Sequence, residues 1–161
     1  MSSFKTTVLF IFISLFSADI CWAQNYPRGC EVKGFGYDGN YLLLNETGEQ
    51  TFYLLQNTSN AKVELQRYET RNVFMSPTLQ VHIDPENWAA FASDIKNLTF
   101  QCYVHNNNHT SLVNCRDVLD VCQYPRVKFA LSNMGNYWVS VNKTQNQVIK
   151  DAIAKGILLR W

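Results

Sequence analysis

Apolar and polar residues alternate with a period of two in stretch after stretch of this chain, the pattern of a strand with one buried and one wet face. Leu98, Phe100, Cys102 and Val104 alternate with Thr99, Gln101 and Tyr103; Ala61, Val63 and Leu65 with Lys62, Glu64 and Gln66; Leu79, Val81 and Ile83 with Gln80 and His82. Shorter candidates lie at 31–35, 41–44, 51–56, 88–91, 127–131 and 136–141, and Ile157, Leu159 and Trp161 alternate at the end. Turn sequences separate them: NETG at 45–48, NTSN at 57–60, PEN at 85–87 and SNMG at 132–135. The turn at 57–60 predicts a hairpin with arms 51–56 and 61–66. One segment has a helical period instead. Thr144 can cap it, Gln147 completes a capping-box pattern, Val148, Ile149, Ala152 and Ile153 share a face, and Gly156 is placed to stop it.

Short strands with turn signals between them predict an all-β fold, an antiparallel β-sandwich, immunoglobulin-like ahead of a jelly roll, with one short C-terminal helix. A chain of 161 residues that is 47% hydrophobic suits one core, and no repeat or linker composition divides it. A formal charge of +1 supplies no large field for nucleic acid or an anionic membrane, so neither is expected as a partner. At the N-terminus Lys5 precedes an apolar run at 8–16 and then Cys21, Trp22 and Ala23, the layout of a signal peptide over residues 1–23. The run is well short of the roughly 20 residues a membrane helix needs. Residues 24–161 are thus expected as a single disulfide-braced domain, periplasmic or secreted, with no membrane span after cleavage.

Removing the signal turns five cysteines into four, Cys30, Cys102, Cys115 and Cys122, which allow three pairings in an oxidising compartment. Cys102 and Cys115 lie symmetrically about Asn108 and His109, so a hairpin there would set them opposite one another. That favours Cys102 with Cys115 and leaves Cys30 with Cys122, a long loop closure worth about 3 to 5 kcal/mol.

Chemical candidates are weak beside their structural readings. Cys102, His105, His109 and Cys115 could be written as a two-cysteine, two-histidine metal set, but paired thiols and an asparagine-rich tip read as a stapled, solvated loop. No nucleophile elbow occurs, Gly34, Gly36 and Gly39 lack the Lys-Ser/Thr of a phosphate loop, and Asp117 and Asp120 read as surface or capping acids. Tyr37, Tyr41, Tyr137 and Trp138 could stack on sugar rings, although aromatic residues of a sandwich mostly fill its core. The alternating end also has the look of a terminal outer-membrane barrel strand, but the strands here are too short and too charged. Five sequons begin at Asn45, Asn57, Asn97, Asn108 and Asn142.

From Cys102 through CRDVLDVCQYPRVKFALSNMGNYW at 115–138, with NWAAFA at 87–92 and the terminal LLRW, the chain resembles the enhanced entry protein B family of Legionella and its relatives. The resemblance implies a bacterial envelope or secreted protein, linked through its locus to entry into host cells. It also implies, as a neighbour in that locus, a long repeat-containing component tied to peptidoglycan upkeep. It carries over no catalytic residues, and it makes the sequons turn and edge asparagines. The expected function is a non-enzymatic interaction module that binds an envelope or host protein, with no cofactor and no metal. Its contact surface is expected at the hairpin tip, residues 103–114, with Tyr103, His105 and His109 on it and Arg116 and Asp117 at its base. A carbohydrate-binding module for peptidoglycan or a host glycan is the alternative.

Overall fold

The structure, a computed structural model, describes residues 26–67, 79–107, 109–130 and 137–159. The expected signal peptide, the SNMG turn and Trp161 lie outside the described residues. The described chain forms β1 (Phe35–Asp38), β2 (Tyr41–Leu44), β3 (Thr51–Asn57), β4 (Lys62–Arg67), β5 (Leu79–Ile83), β6 (Trp88–Ser93) and β7 (Leu98–Asn106). There follow β8 (His109–Val113), β9 (Leu119–Tyr124), β10 (Val127–Lys128), β11 (Tyr137–Lys143), α1 (Gln145–Ala154) and β12 (Leu158–Leu159).

Strand β3, TFYLLQN, has no polar alternation, and both of its faces are buried. Tyr53 and Leu55 enter one core, Phe52 and Leu54 another. The inner sheet built on β3 has the antiparallel order β11-β6-β3-β9. One face packs on an outer sheet, ordered β1-β2-β7-β4-β5, through Leu42, Leu44, Val63, Leu65, Val81, Ile83, Leu98 and Phe100. The other is covered by α1 and the β10-β12 ribbon, whose Val127, Val148, Ala152 and Ile157 meet Trp88, Ala90 and Ala92 of β6. The small side chains of β6 let the helix approach the sheet closely. The antiparallel sandwich with one short helix is therefore the fold, and the immunoglobulin-like version of it is not singled out by this strand order.

The segment at 51–66 is not a hairpin. β3 pairs with β6 and β9, whereas β4 pairs with β5 and β7 in the other sheet, so residues 58–61 turn a corner between layers. Asn57, fully buried, is the reason. Its Nδ2 donates to the carbonyls of Ala61 (2.7 Å) and Ile83 (2.9 Å), and its Oδ1 accepts from the Ser59 amide (2.9 Å) and hydroxyl (2.7 Å). Asn45 does the same before β3. Its Nδ2 donates to Glu49 O (3.0 Å) and Ile95 O (2.9 Å), and its Oδ1 accepts from Gly48 N–H (3.0 Å). Ile83 precedes β6 and Ile95 follows it, so the two asparagines clamp both ends of the β3–β6 pair to the crossing chain.

Local signals placed the helix well. Gln147 Oε1 accepts from Thr144 N–H at 3.0 Å. At the other end Gly156 (φ 86°) closes a Schellman turn in which Ile157 N–H reaches Ala152 O at 3.0 Å. Val148 and Ala152 are buried, whereas Ile153 of the expected face is exposed. Gly34 is needed as glycine: its φ is 75°, and a Cβ there would meet Gln123 Oε1 at 1.5 Å. Tyr53 Oη fastens this segment by donating to Gly34 O (2.8 Å), and it accepts from Asn45 N–H (2.9 Å).

Removing the Asn57 side chain takes this partner from the Ile83 carbonyl and the Ser59 amide, and removing that of Asn45 takes it from the Glu49 and Ile95 carbonyls and the Gly48 amide, a buried group left unsatisfied costing about 1–3 kcal/mol. Asn45→Ala and Asn57→Ala should each lower the unfolding free energy by about 2–4 kcal/mol, seen as a reduced urea midpoint at unchanged slope. The exposed Asn146→Ala on α1 should stay within about 0.5 kcal/mol of the parent.

Candidate functional site

The polar residues of β4 face away from the core, and strand register decides what they meet. Glu64 lies opposite His82 of β5 on one side and Tyr103 of β7 on the other, while His105 lies two residues further along β7, opposite Lys62. The result is a cluster on the outer sheet's free face. Glu64 Oε2 is 2.5 Å from His105 Nε2 and 3.9 Å from His82 Nδ1. Gln66 Nε2 donates to the other carboxylate oxygen at 2.6 Å, and Thr110 Oγ1 lies 3.0 Å from His105 Nδ1. Glu64 is only 5% exposed although it sits on the outward face, because the rings of His82 and His105, 5.9 Å apart, stand beside it.

The expected site residues divide between the two ends of the β7–β8 hairpin. Tyr103 and His105 lie on the outward face near the cluster, with Tyr103 Oη donating to Gln101 Oε1 at 3.2 Å. His109 is exposed at the tip, paired with Asn106. Arg116 and Asp117 belong to the 3-10 turn Cys115–Asp117 at the base. There the Arg116 guanidinium carbon lies 5.2 Å from the centre of the Tyr37 ring, and Tyr37 Oη donates to Leu119 O at 3.1 Å. Asp117 accepts from Asn114 Nδ2 at 3.3 Å. These residues therefore do not converge on one site.

The disulfides are Cys30–Cys122 and Cys102–Cys115. Cys102 does not lie directly across the ladder from Cys115. The hairpin turns after Asn106, at Asn107 with φ 51°, which pairs Cys102 with Val113 and leaves Cys115 in the 3-10 turn. Both sulfurs lie in the core between the sheets, away from the imidazole of His105, so the thiols and histidines do not form a common ligand set. The four aromatic residues are similarly dispersed. Trp138 stacks on Phe52 toward the helix, and its neighbour Tyr137 stacks on Phe91 toward the other sheet. Tyr41, at 41%, is the most exposed of the four. Between the sheets, the gap lined by Leu44, Leu55, Leu65 and Phe91 amounts to about 10 Å³, room for one water at most.

Electrostatics mark the Tyr37 end of the molecule. Burial, reinforced by the nearby Asp120 carboxylate, pushes Tyr26 and Tyr37 up to about 12, and Arg116 partly opposes this at Tyr37. Burial alone pushes Tyr124 up to about 12. A phenol whose folded value is raised binds its proton more tightly in the native state. Its stabilising contribution is complete below pH ~10 and is lost as pH rises through 12. Tyrosinate absorbance should show Tyr124 ionising at about 12, above the ordinary phenol value of about 10. Asp120→Asn should lower the midpoints of Tyr26 and Tyr37 and leave that of Tyr124 in place.

Among the described residues no helix is long and apolar enough to cross a membrane. The chain matches no family model, no curated protein and no solved structure.

Proposed function

We propose that this chain is a non-enzymatic exported interaction module of the bacterial envelope, binding another protein by main-chain pairing along β8. The observation that carries this is the free edge of β8. Its five residues pair with β7 on one side, beyond the end of β2, and no described strand lies on the other side. An edge of unpaired amides and carbonyls is a template for an extended partner segment. Leu112, 43% exposed, supplies an apolar anchor on it.

The surroundings suit a presented edge. Cys102–Cys115 ties the hairpin to the turn that follows it, so the strand is held out without a large ordering cost on binding. Two disulfides fit an oxidising compartment, periplasmic or outside the cell. The resemblance to the enhanced entry protein B family supports a role in host-cell entry or envelope integrity, with the repeat-containing component of that locus as the first partner to seek. The carbohydrate-binding alternative retains Tyr41 as its most exposed ring and is placed second.

A photocrosslinking residue at Thr110 in the producing cell should capture one recurrent protein, identified by mass spectrometry, and the same residue at Lys150 on α1 should not. Leu112→Asp should reduce the Thr110 adduct at least about tenfold, the effect of about 1.4 kcal/mol in binding. Equal capture at both positions, glycan adducts alone or no adduct would each sink the proposal.

A further inference from the structure

The protein has three histidines, and two of them converge on one buried carboxylate. We infer that Glu64, His82 and His105 form a binding site for a divalent first-row transition cation of the zinc class on the outward face of the outer sheet. One ligand atom from each lies within 4.8 Å of the other two. Zinc holds imidazole nitrogen and carboxylate oxygen at about 2.0–2.2 Å, so ligands of one ion stand roughly 3–3.6 Å apart. The 3.9 Å between Glu64 Oε2 and His82 Nδ1 already falls close to that spacing. His105 Nε2, hydrogen-bonded to the same oxygen at 2.5 Å, needs only to draw back as the ion enters. Three protein ligands from three neighbouring strands leave the solvent side open for water. The half-exposed His82 side chain stands on that side.

Two further observations point to a ligand rather than to simple hydrogen-bond satisfaction. The first is the supporting shell. Gln66 holds Glu64 Oε1, which leaves Oε2 for the ion, and Thr110 holds His105 Nδ1, which directs Nε2 at it. Such outer partners fix ring orientation and tautomer in metal sites, and a hydroxyl serves either tautomer, donating to bare Nδ1 or accepting from Nδ1–H. The second is charge. The Glu64 side chain is 6% exposed, and its ion partners among the described residues are the two histidines. A buried carboxylate normally has a cation beside it, and a divalent ion between the three groups would supply one. Two imidazoles select transition cations over magnesium and calcium, which prefer oxygen.

The test is titration calorimetry of the disulfide-bonded protein with zinc chloride, with magnesium chloride in parallel. One equivalent of zinc should bind saturably and magnesium should not. His82→Ala or His105→Ala should abolish saturation, Thr110→Val should weaken it about tenfold, and His109→Ala should leave it unchanged. Histidine ring-nitrogen NMR of the unmodified chain guards against variants that fold poorly: zinc should move the His82 and His105 signals and spare His109. Absence of saturable binding, binding that survives both histidine substitutions, or a zinc response confined to His109 would overturn the site.

Discussion

The structure depends on one constraint: a sheet that gives up solvent on both faces must have every turn at its ends satisfied from within. Strands β3 and β6 are covered by the outer sheet on one side and by the helix and ribbon on the other. The chain enters and leaves them at corners where backbone groups turn inward beside buried asparagines, and an unpaired polar group buried there costs free energy comparable to a lost hydrogen bond. Asn45 and Asn57 meet that demand. Each offers two amide hydrogens and a carbonyl oxygen, enough to close its own turn and to reach a carbonyl beside β6. The layers are thereby joined through polar contacts as well as through packing.

How much of this was legible in the sequence depended on distance along the chain. The helix was legible from start to finish because Thr144, Gln147 and Gly156 act on neighbours a few residues away. The alternating strands were legible because Val63, Leu65, Val81 and Ile83 obey the period of two. The corner at Asn57 carries the signal of a hairpin, since an asparagine-rich turn looks the same whether the chain stays in one sheet or changes layer. The symmetry of the cysteines points to a hairpin centred on Asn108 and His109, whereas the backbone turns earlier, at Asn107. The pair Cys102–Cys115 forms all the same, because the 3-10 turn carries Cys115 back to the core.

The cluster on the outward face was out of reach for a similar reason. Glu64, His82 and His105 lie on three strands, and nothing in their spacing along the chain brings them together. Only the pairing of β4 with both β5 and β7 does so. The alternation had put Glu64 and His82 on polar faces, which was the available signal, but it gave neither the neighbour nor the burial. Along the chain His105 stands nearest to Cys102 and His109, and that spacing points to a stapled, solvated loop rather than to Glu64 and His82. The free edge of β8 belongs to the same hairpin as His105, and Thr110 on that edge also holds His105 Nδ1, so the proposed interaction edge and the proposed cation site are joined through one residue.

The corner asparagines also restrict where this chain can mature. Asn45-Glu46-Thr47 and Asn57-Thr58-Ser59 are acceptor sequences for N-linked sugar, which is transferred to the side-chain nitrogen of chains still entering the secretory pathway. In the finished fold those nitrogens are enclosed and fully engaged by backbone carbonyls. A saccharide on either would prevent β3 from docking between its layers. This amino-acid sequence is therefore compatible with its own structure only where those asparagines stay bare, which makes a glycosylating eukaryotic host a poor choice for producing it.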